Sequence, residues 1–310
     1  MFSKTKHYNI AINSLAVVLV ASFFVPLKFN FTLLEKALLE FGHFAFFTFI
    51  TIQFYPIFER FTSAKFNSKN DSVSLVIYLV GASSFGFAIE IIQLLFFERD
   101  ASLVDCLRNI AGIAFGIILL KRYKFKKLRN FLLCGVLVFM LSSYEVLQVA
   151  YLRMAVATSF PTLNDTSSPA KKEMLWTGKF SITKEQSDFL ITHISNPSRK
   201  NSGISLKEPY AKWKGYTMFK AEIWVKQKGS LAIRINDMLH ESNNDYFDRY
   251  NDVIELSKGW NVISIELSDI KNAPLNRTMN MEDIYRIGFF TTTPHNVEQF
   301  KVGKIWLTKG

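Results

Sequence analysis

Cysteine is scarce: two residues, Cys106 and Cys134, in a chain of 310. That is too few for a disulfide framework, and the paired ligand spacing of a structural zinc site is missing. Both lie in apolar runs and read as small packing residues. The N-terminus lacks a small-x-small cleavage site. Lys4 and Lys6 precede an apolar run from Ile10 to Phe29, longer than a signal-peptide core. An uncleaved first membrane helix is expected. There is no internal repeat and no broken-helix pair, the marks of a transporter built from inverted halves. Acidic residues are outnumbered, 26 against 37 basic, for a net charge of +11. Six of the basic residues fall between Lys121 and Arg129, flanked by apolar runs. That is how cytoplasmic loops of membrane proteins are built, so the bilayer, and not nucleic acid, is the expected partner.

What the chain does have is long apolar runs. Five membrane helices are predicted, near Ile10–Leu27, Gly42–Phe58, Val73–Phe97, Leu103–Leu120 and Phe131–Tyr151. Each approaches the roughly 20 residues needed to cross the hydrocarbon. Lys4 and Lys6, the segment with Arg60, Lys65 and Lys69, and the Lys121–Arg129 cluster all fall on one side. The positive-inside rule makes that side cytoplasmic. After an odd number of crossings, the C-terminal half is expected outside the cytoplasm.

The polar residues within these runs gather at one end. His43 opens the second helix, Glu90 and Gln93 lie late in the third, Arg99 and Asp100 form the turn, and Asp105, Arg108 and Asn109 open the fourth. An ionisable group in hydrocarbon costs several kcal/mol unless paired or wet, so such a group is a functional candidate by default. Amides can instead serve as interhelical glue. The candidates for chemistry are therefore His43, Glu90 and Asp105, with Gln93, Arg99, Arg108 and Asn109 as binding groups. Arg99 suits lipid phosphate as well as a substrate phosphate. The first three are of ligand type for zinc or manganese, but no His-x-x-x-His element accompanies them, and neither metal nor cofactor is expected. Within the helices, Ser83, Gly86, Glu90 and Gln93 form one stripe, and Asp105, Asn109, Gly112 and Gly116 another. The two stripes are expected to face each other.

Ser159 to Lys172 is rich in Ser, Thr, Pro, Asn and Asp and reads as a linker. Beyond it, apolar and polar residues alternate at Tyr216–Val225, Leu231–Ile235, Trp260–Leu267, Ile284–Phe290 and Phe300–Leu307. No convincing helix interrupts them. The predicted organisation is an α-helical transmembrane bundle over residues 1–155, a linker over 156–172 and an all-β antiparallel, jelly-roll-like sandwich over 173–310. Asp237, His240, Asp248 and Arg249 follow strands and are placed at a loop-end pocket. Asp237 with Arg249 also reads as an ion pair fixing two loops. Trp213, Trp224, Trp260 and Trp306 are of the type that stacks on sugar rings, but Trp224, Trp260 and Trp306 stand at alternating positions and are assigned mostly to the core.

Two resemblances follow from these residues. His43, then Glu90-x-x-Gln93, Arg99 and Ser102-x-x-Asp105-x-x-x-Asn109-x-x-Gly112 resembles the VanZ-like family of small bacterial membrane proteins, over less than a third of the chain. The family takes its name from a glycopeptide-antibiotic phenotype. The resemblance implies a bacterial cytoplasmic-membrane location in the cell envelope and a polar site, without fixing a reaction. Asp237-Met-Leu-His240, Phe247-Asp248-Arg249-Tyr250, Gly259-Trp260-Asn261 and Arg277-x-Met279 resemble carbohydrate-binding jelly rolls fused to such membrane domains. That implies a glycan or a lipid-linked envelope precursor as partner, and adds Arg277 to the binding residues. The residues leave three readings open: docking of an envelope glycan, a metal- or acid–base-assisted enzyme on lipid-linked substrates, and a non-catalytic scaffold.

Overall fold

The computed structural model describes residues 31–66, 71–96, 102–121, 128–195, 202–243, 245–291 and 299–310. The expected first membrane helix, Arg99 and Asp100 lie outside them. The chain divides into two compact units, Met1–Ala150 and Tyr151–Gly310.

Four long helices are described: α1 (Leu33–Phe66), α2 (Asp71–Phe96), α3 (Leu103–Lys121) and α4 (Leu128–Ser159), the last crossing the boundary between the units. All four are long and apolar enough to cross a membrane. Their outward surfaces carry exposed Leu, Ile, Val and Phe in numbers that water-facing helices do not tolerate, among them Phe61, Val80, Leu95, Leu103 and Leu141. This is consistent with a membrane-spanning region. The 34 residues of α1 exceed the expected span at both ends, because polar residues finish a helix that the apolar run only starts. At its start, the Thr32 N–H donates to Glu35 Oε2 (2.8 Å) and the Glu35 N–H to Thr32 Oγ1 (3.3 Å), a reciprocal cap. Its other end brings Glu59 into the bundle, where Tyr55 Oη donates to Glu59 Oε1 (3.2 Å) and Lys121 Nζ lies 3.4 Å away. A second polar cluster therefore occupies the end opposite His43.

Helix α3 packs on α1 through glycine. A methyl added at Gly112 would stand 2.5 Å from the Phe44 carbonyl oxygen and 3.0 Å from Phe47 Cβ. One at Gly116 would stand 2.7 Å from Thr51 Cβ. The small-residue face thus lets α3 reach the α1 backbone, where Thr48 Oγ1 donates to the Gly112 carbonyl (3.2 Å). This corrects the expectation that the α3 stripe faces the α2 stripe throughout. Only its polar end does so: Gly86 on α2 meets Asn109, whereas Gly112 and Gly116 meet α1. Phe46, Phe47, Tyr55, Tyr78, Ile89 and Ile113 form the buried core of the unit.

The second unit is an antiparallel sandwich, as the alternation predicted. Its strands are β1 (Thr162–Asn164), β2 (Trp176–Gly178), β3 (Phe180–Glu185), β4 (Asp188–His193), β5 (Gly203–Lys207), β6 (Met218–Val225), β7 (Gly229–Asp237), β8 (Tyr250–Leu256), β9 (Gly259–Glu266), β10 (Ile284–Thr291) and β11 (Phe300–Thr308). One sheet runs β3-β4-β11-β6-β9, with β1 added beside β11; the other runs β2-β5-β10-β7-β8. Period-two alternation turns Phe219, Ile223, Leu231, Ile233, Ile287 and Phe289 inward, all without exposed surface. Three six-residue helices, α5 (Ala170–Leu175), α6 (Met238–Asn243) and α7 (Leu267–Asn272), interrupt the strands and escaped the periodicity reading because one and a half turns carry too few positions to show a period. The stretch read as a linker holds β1 and the start of α5. Asn164 Nδ2 donates to the Gly303 carbonyl (2.6 Å), and buried Lys172 donates to Asn164 Oδ1 (3.3 Å) and to the Asp165 carbonyl. Polar composition there reflects a hydrogen-bonded edge.

His193, fully buried on β4, has its pKa lowered by burial; its ring lies against Phe300, with centroids 4.7 Å apart. A depressed histidine contributes stability that is complete above its unfolded value, near 6.5, and is lost as pH falls towards the lower folded value. The sandwich is therefore expected to melt at lower temperature at pH 5 than at pH 7. In His193→Phe, which keeps the ring contact, that slope should shrink. An identical slope in the variant would show that other groups carry it.

Candidate functional site

Three helices bring the predicted membrane residues together. Ser102 caps α3, accepting from the Asp105 N–H (3.3 Å), so Asp105 sits in the first turn, where the helix dipole favours a carboxylate. One turn on, Asn109 meets His43 of α1: Nδ1 and Oδ1 are 3.1 Å apart. Glu90 of α2 completes the group, with Oε1 3.4 Å from the same His43 Nδ1. A proton on Nδ1 would serve both oxygens. One ligand atom each from His43, Glu90 and Asp105 lies within 4.8 Å of the others. All three are buried, as are Gln93 and Asn109. The sequence offered no metal site here because no two of these ligands share a helix. The folded chain assembles one imidazole and two carboxylates, a donor set that fits a divalent cation.

Beside them lie further charged groups, which the sequence reading missed in part. Arg108 Nη1 donates to Asp105 Oδ1 (2.7 Å), its Nη2 lies 3.1 Å from Glu40 Oε2, and it also bonds Glu145 of α4. Glu40 and Glu145 look like ordinary helix-end and mid-helix residues when read alone. Their signal is the company of Arg108, visible only after folding. Four carboxylates (Glu40, Glu90, Asp105, Glu145) thus surround one guanidinium and one imidazole. Such an excess of negative charge among apolar helices is stabilised by protons or a bound cation. The arrangement can therefore exchange protons, hold a cation or orient a cationic or hydroxyl-rich head group.

In the sandwich, Asp237 ends β7 at 0% exposure. Its partner is Arg277, which donates through Nη1 to Oδ2 (2.6 Å) and through Nη2 to Oδ1 (2.8 Å). Arg277 also donates to Asp248, Nε to Oδ1 (2.5 Å) and Nη2 to Oδ2 (2.9 Å). Backbone N–H groups of Asn280 (2.8 Å) and His240 (3.1 Å) complete the shell of Asp237. Burial alone would raise the Asp237 pKa, but these bonds, Arg277's first, hold it below the usual value. The expected Asp237–Arg249 pair is not formed. Arg249 Nε donates to Asn251 Oδ1 (3.0 Å), and its guanidinium lies over Tyr246. His240 is buried beside Asp248, with Nδ1 4.0 Å from Oδ2, and burial lowers its pKa. Asp237, Asp248 and Arg277 thus satisfy one another, which makes them a clasp joining three loops.

The tryptophans correct the core assignment. Trp260 is 51% exposed, and Trp224 and Trp306 are half-buried on the outer face of the six-stranded sheet. Trp224 pairs across the ladder with Trp260. Lys301 sits over Trp224 and Lys304 over Trp306. Alternation was read correctly, but which of the two faces is inward depends on the partner sheet. The core tryptophans are Trp176 and Trp213. Trp213 donates to the Tyr210 carbonyl (2.7 Å) and borders a cavity of about 580 Å³, whose rim includes Tyr216, Lys271, Met279 and Glu282.

No protein-family model and no curated protein matches this chain. Solved structures do. A family 11 carbohydrate-binding module from Clostridium thermocellum, in complex with a β-1,3-1,4-mixed-linked tetrasaccharide, is 12% identical with a TM-score of 0.36, over 48% of this chain and 95% of that one. A family 30 carbohydrate-binding module of a Clostridium thermocellum cellulosomal cellulase is 9% identical with a TM-score of 0.34, over 48% and 96%. Likenesses this distant leave any ligand to be argued from the side chains themselves.

Proposed function

We propose that this is a multi-pass protein of the bacterial cytoplasmic membrane that docks a lipid-linked or cell-wall glycan. The N-terminus lies in the cytoplasm and the sandwich outside it. The sandwich recognises the glycan, and the His43–Glu90–Asp105 group takes the part held in the membrane. The observation that carries this reading is the convergence of three ionisable groups from three apolar helices to within 4.8 Å. Packing glue needs amides and hydroxyls, not two carboxylates and an imidazole. The VanZ-like resemblance of the same residues, and the carbohydrate-binding-type motifs from Asp237 to Met279, support an envelope partner.

The test is binding of lipid-linked envelope glycans to the full-length protein in detergent. Glu90→Gln and Asp105→Asn are expected to keep the melting temperature within a few degrees and to weaken binding at least tenfold. Unchanged binding in both removes the membrane site and leaves recognition to the sandwich; no binding by the wild type leaves the scaffold. Side assignment is checked with reporter fusions after Lys69 and after Gly310, expected in and out. An isolated sandwich should begin at Tyr151, because a start at Ser168 would delete β1.

One observation favours an enzymatic version of the same site. His43 Nδ1 lies 3.4 Å from Glu90 Oε1, a carboxylate–imidazole pair suited to general acid–base transfer. This version predicts turnover of a lipid-linked substrate that His43→Gln abolishes.

A further inference from the structure

The outer face of the five-stranded sheet concentrates arginine. Because Ile233, Ile235, Ile287 and Phe289 point inward, the period of two turns Arg234, Arg286 and Phe290 outward. Register then sets them side by side: Arg234 lies opposite Gly288 and Asn251, and Arg286 opposite Asn236. Arg249, bonded to Asn251, comes in from the start of β8. These three arginines are far apart in sequence and share one face only because β8, β7 and β10 are neighbours.

One of the three has an ion-pair partner. Glu241 Oε2 takes Arg286 at 2.7 Å. Among the described residues, no carboxylate pairs with Arg234 or Arg249. Each instead lies over a ring, Arg234 over Phe290 at 4.3 Å and Arg249 over Tyr246 at 5.1 Å. Burial, then the positive charge of Arg234, and further down Arg286, hold the Arg249 pKa down against the opposing pull of Tyr246 and Glu241, so the three arginines feel one another. Arg286 Nε is buried without a hydrogen-bond partner. Like charges held this close cost energy until an anion arrives. Stacking on a ring holds the planes of Arg234 and Arg249, and a planar guanidinium held in place is the preorganised form that grips carboxylate or phosphate.

The floor of the face is flat. Gly288 and Gly203 carry no side chains, and the Phe290 ring lies in the space a Cβ would fill at either. An extended chain fits such a surface without a deep pocket.

We propose that this face binds an acidic glycan, with Arg234, Arg249 and Arg286 taking its carboxylate or phosphate substituents. The inference deepens the glycan-docking reading of the sandwich and rests on it. A glycan is favoured over nucleic acid because the cationic groups form one compact cluster, not a stripe that tracks a long backbone.

The test compares full-length protein in detergent against an oligogalacturonate, the same oligomer as its methyl ester, a glycerol-phosphate oligomer and a single-stranded oligonucleotide. The acid or phosphate form is expected to bind at least tenfold more tightly than the ester, with affinity falling as salt rises. Arg234→Gln and Arg249→Gln, which break no ion pair, should each lose about tenfold or more while melting as wild type does. Equal binding of acid and ester, or arginine variants that bind normally, overturns the arginine site and leaves glycan docking standing. Oligonucleotide bound as tightly, with the same arginine dependence, makes the face a generic polyanion surface and overturns the proposal. Failure of every glycan to bind overturns both readings.

Discussion

Arg277→Ala is expected to destabilise the sandwich by about 3–5 kcal/mol, the cost of leaving a buried carboxylate without its counter-ion. Asp237 has no exposed surface, and Arg277 supplies two of its four hydrogen bonds. The same change frees Asp248, so loops from β7, from before β8 and from after α7 lose their common clasp. Arg277→Lys should recover little, because an ammonium cannot make two bidentate contacts at once. The pH dependence weakens. In the wild type the Asp237 pKa is depressed, so its contribution is present above the unfolded carboxylate value and disappears as pH falls through the folded one. Without Arg277 the largest of the effects that lower this pKa is gone, so the part of the stability that Asp237 loses on acidification should shrink in the variant. Thermal melts of both proteins from pH 7 to pH 3 check this, and a double change, Arg277→Ala with Asp237→Asn, should recover part of the loss. A melting temperature unchanged in Arg277→Ala would mean that Asp237 is held by its backbone donors alone.

Gly112→Leu is expected to part α1 from α3. Even Gly112→Ala places a methyl 2.5 Å from the Phe44 carbonyl oxygen, which is backbone and cannot rotate away. About 1–3 kcal/mol is expected for Ala, and more for Leu, whose bulk must displace a whole helix. Gly42→Ala is the control on α1, since nothing lies within 4 Å of its added methyl. That variant should melt as wild type does or slightly higher, because glycine within a helix is weaker than alanine. The Leu variant should also lose function, because the His43–Asn109 contact spans the same pair of helices. Melting in detergent, read with binding of lipid-linked glycan, separates the two effects. A normal melting temperature in Gly112→Leu would place α3 elsewhere.

Several features could be read from the chain before folding because they depend on neighbours in sequence. Hydrocarbon-length runs marked α2, α3 and α4, and glycine spacing marked the close-packing face of α3. Alternation marked β6, β7, β9, β10 and β11. The polar residues at 43, 90, 93, 105, 108 and 109 stood out because their cost in an apolar run is a local property. Other features depend on pairs distant in sequence. Glu40 and Glu145 gain meaning only from Arg108. Asp237 finds Arg277 forty positions away, not the nearer Arg249. Trp260 is exposed although its alternation matches that of a core residue.

Composition and periodicity by themselves therefore determined that apolar helices precede an antiparallel sandwich, and that ionisable residues lie where they cost most. The tertiary structure alone decided that α3 rests on α1, that one imidazole and two carboxylates converge, and that three arginines share one sheet face. The reason is physical: burial and period act along a few consecutive residues, whereas helix faces and strand registers are chosen by what packs across from them.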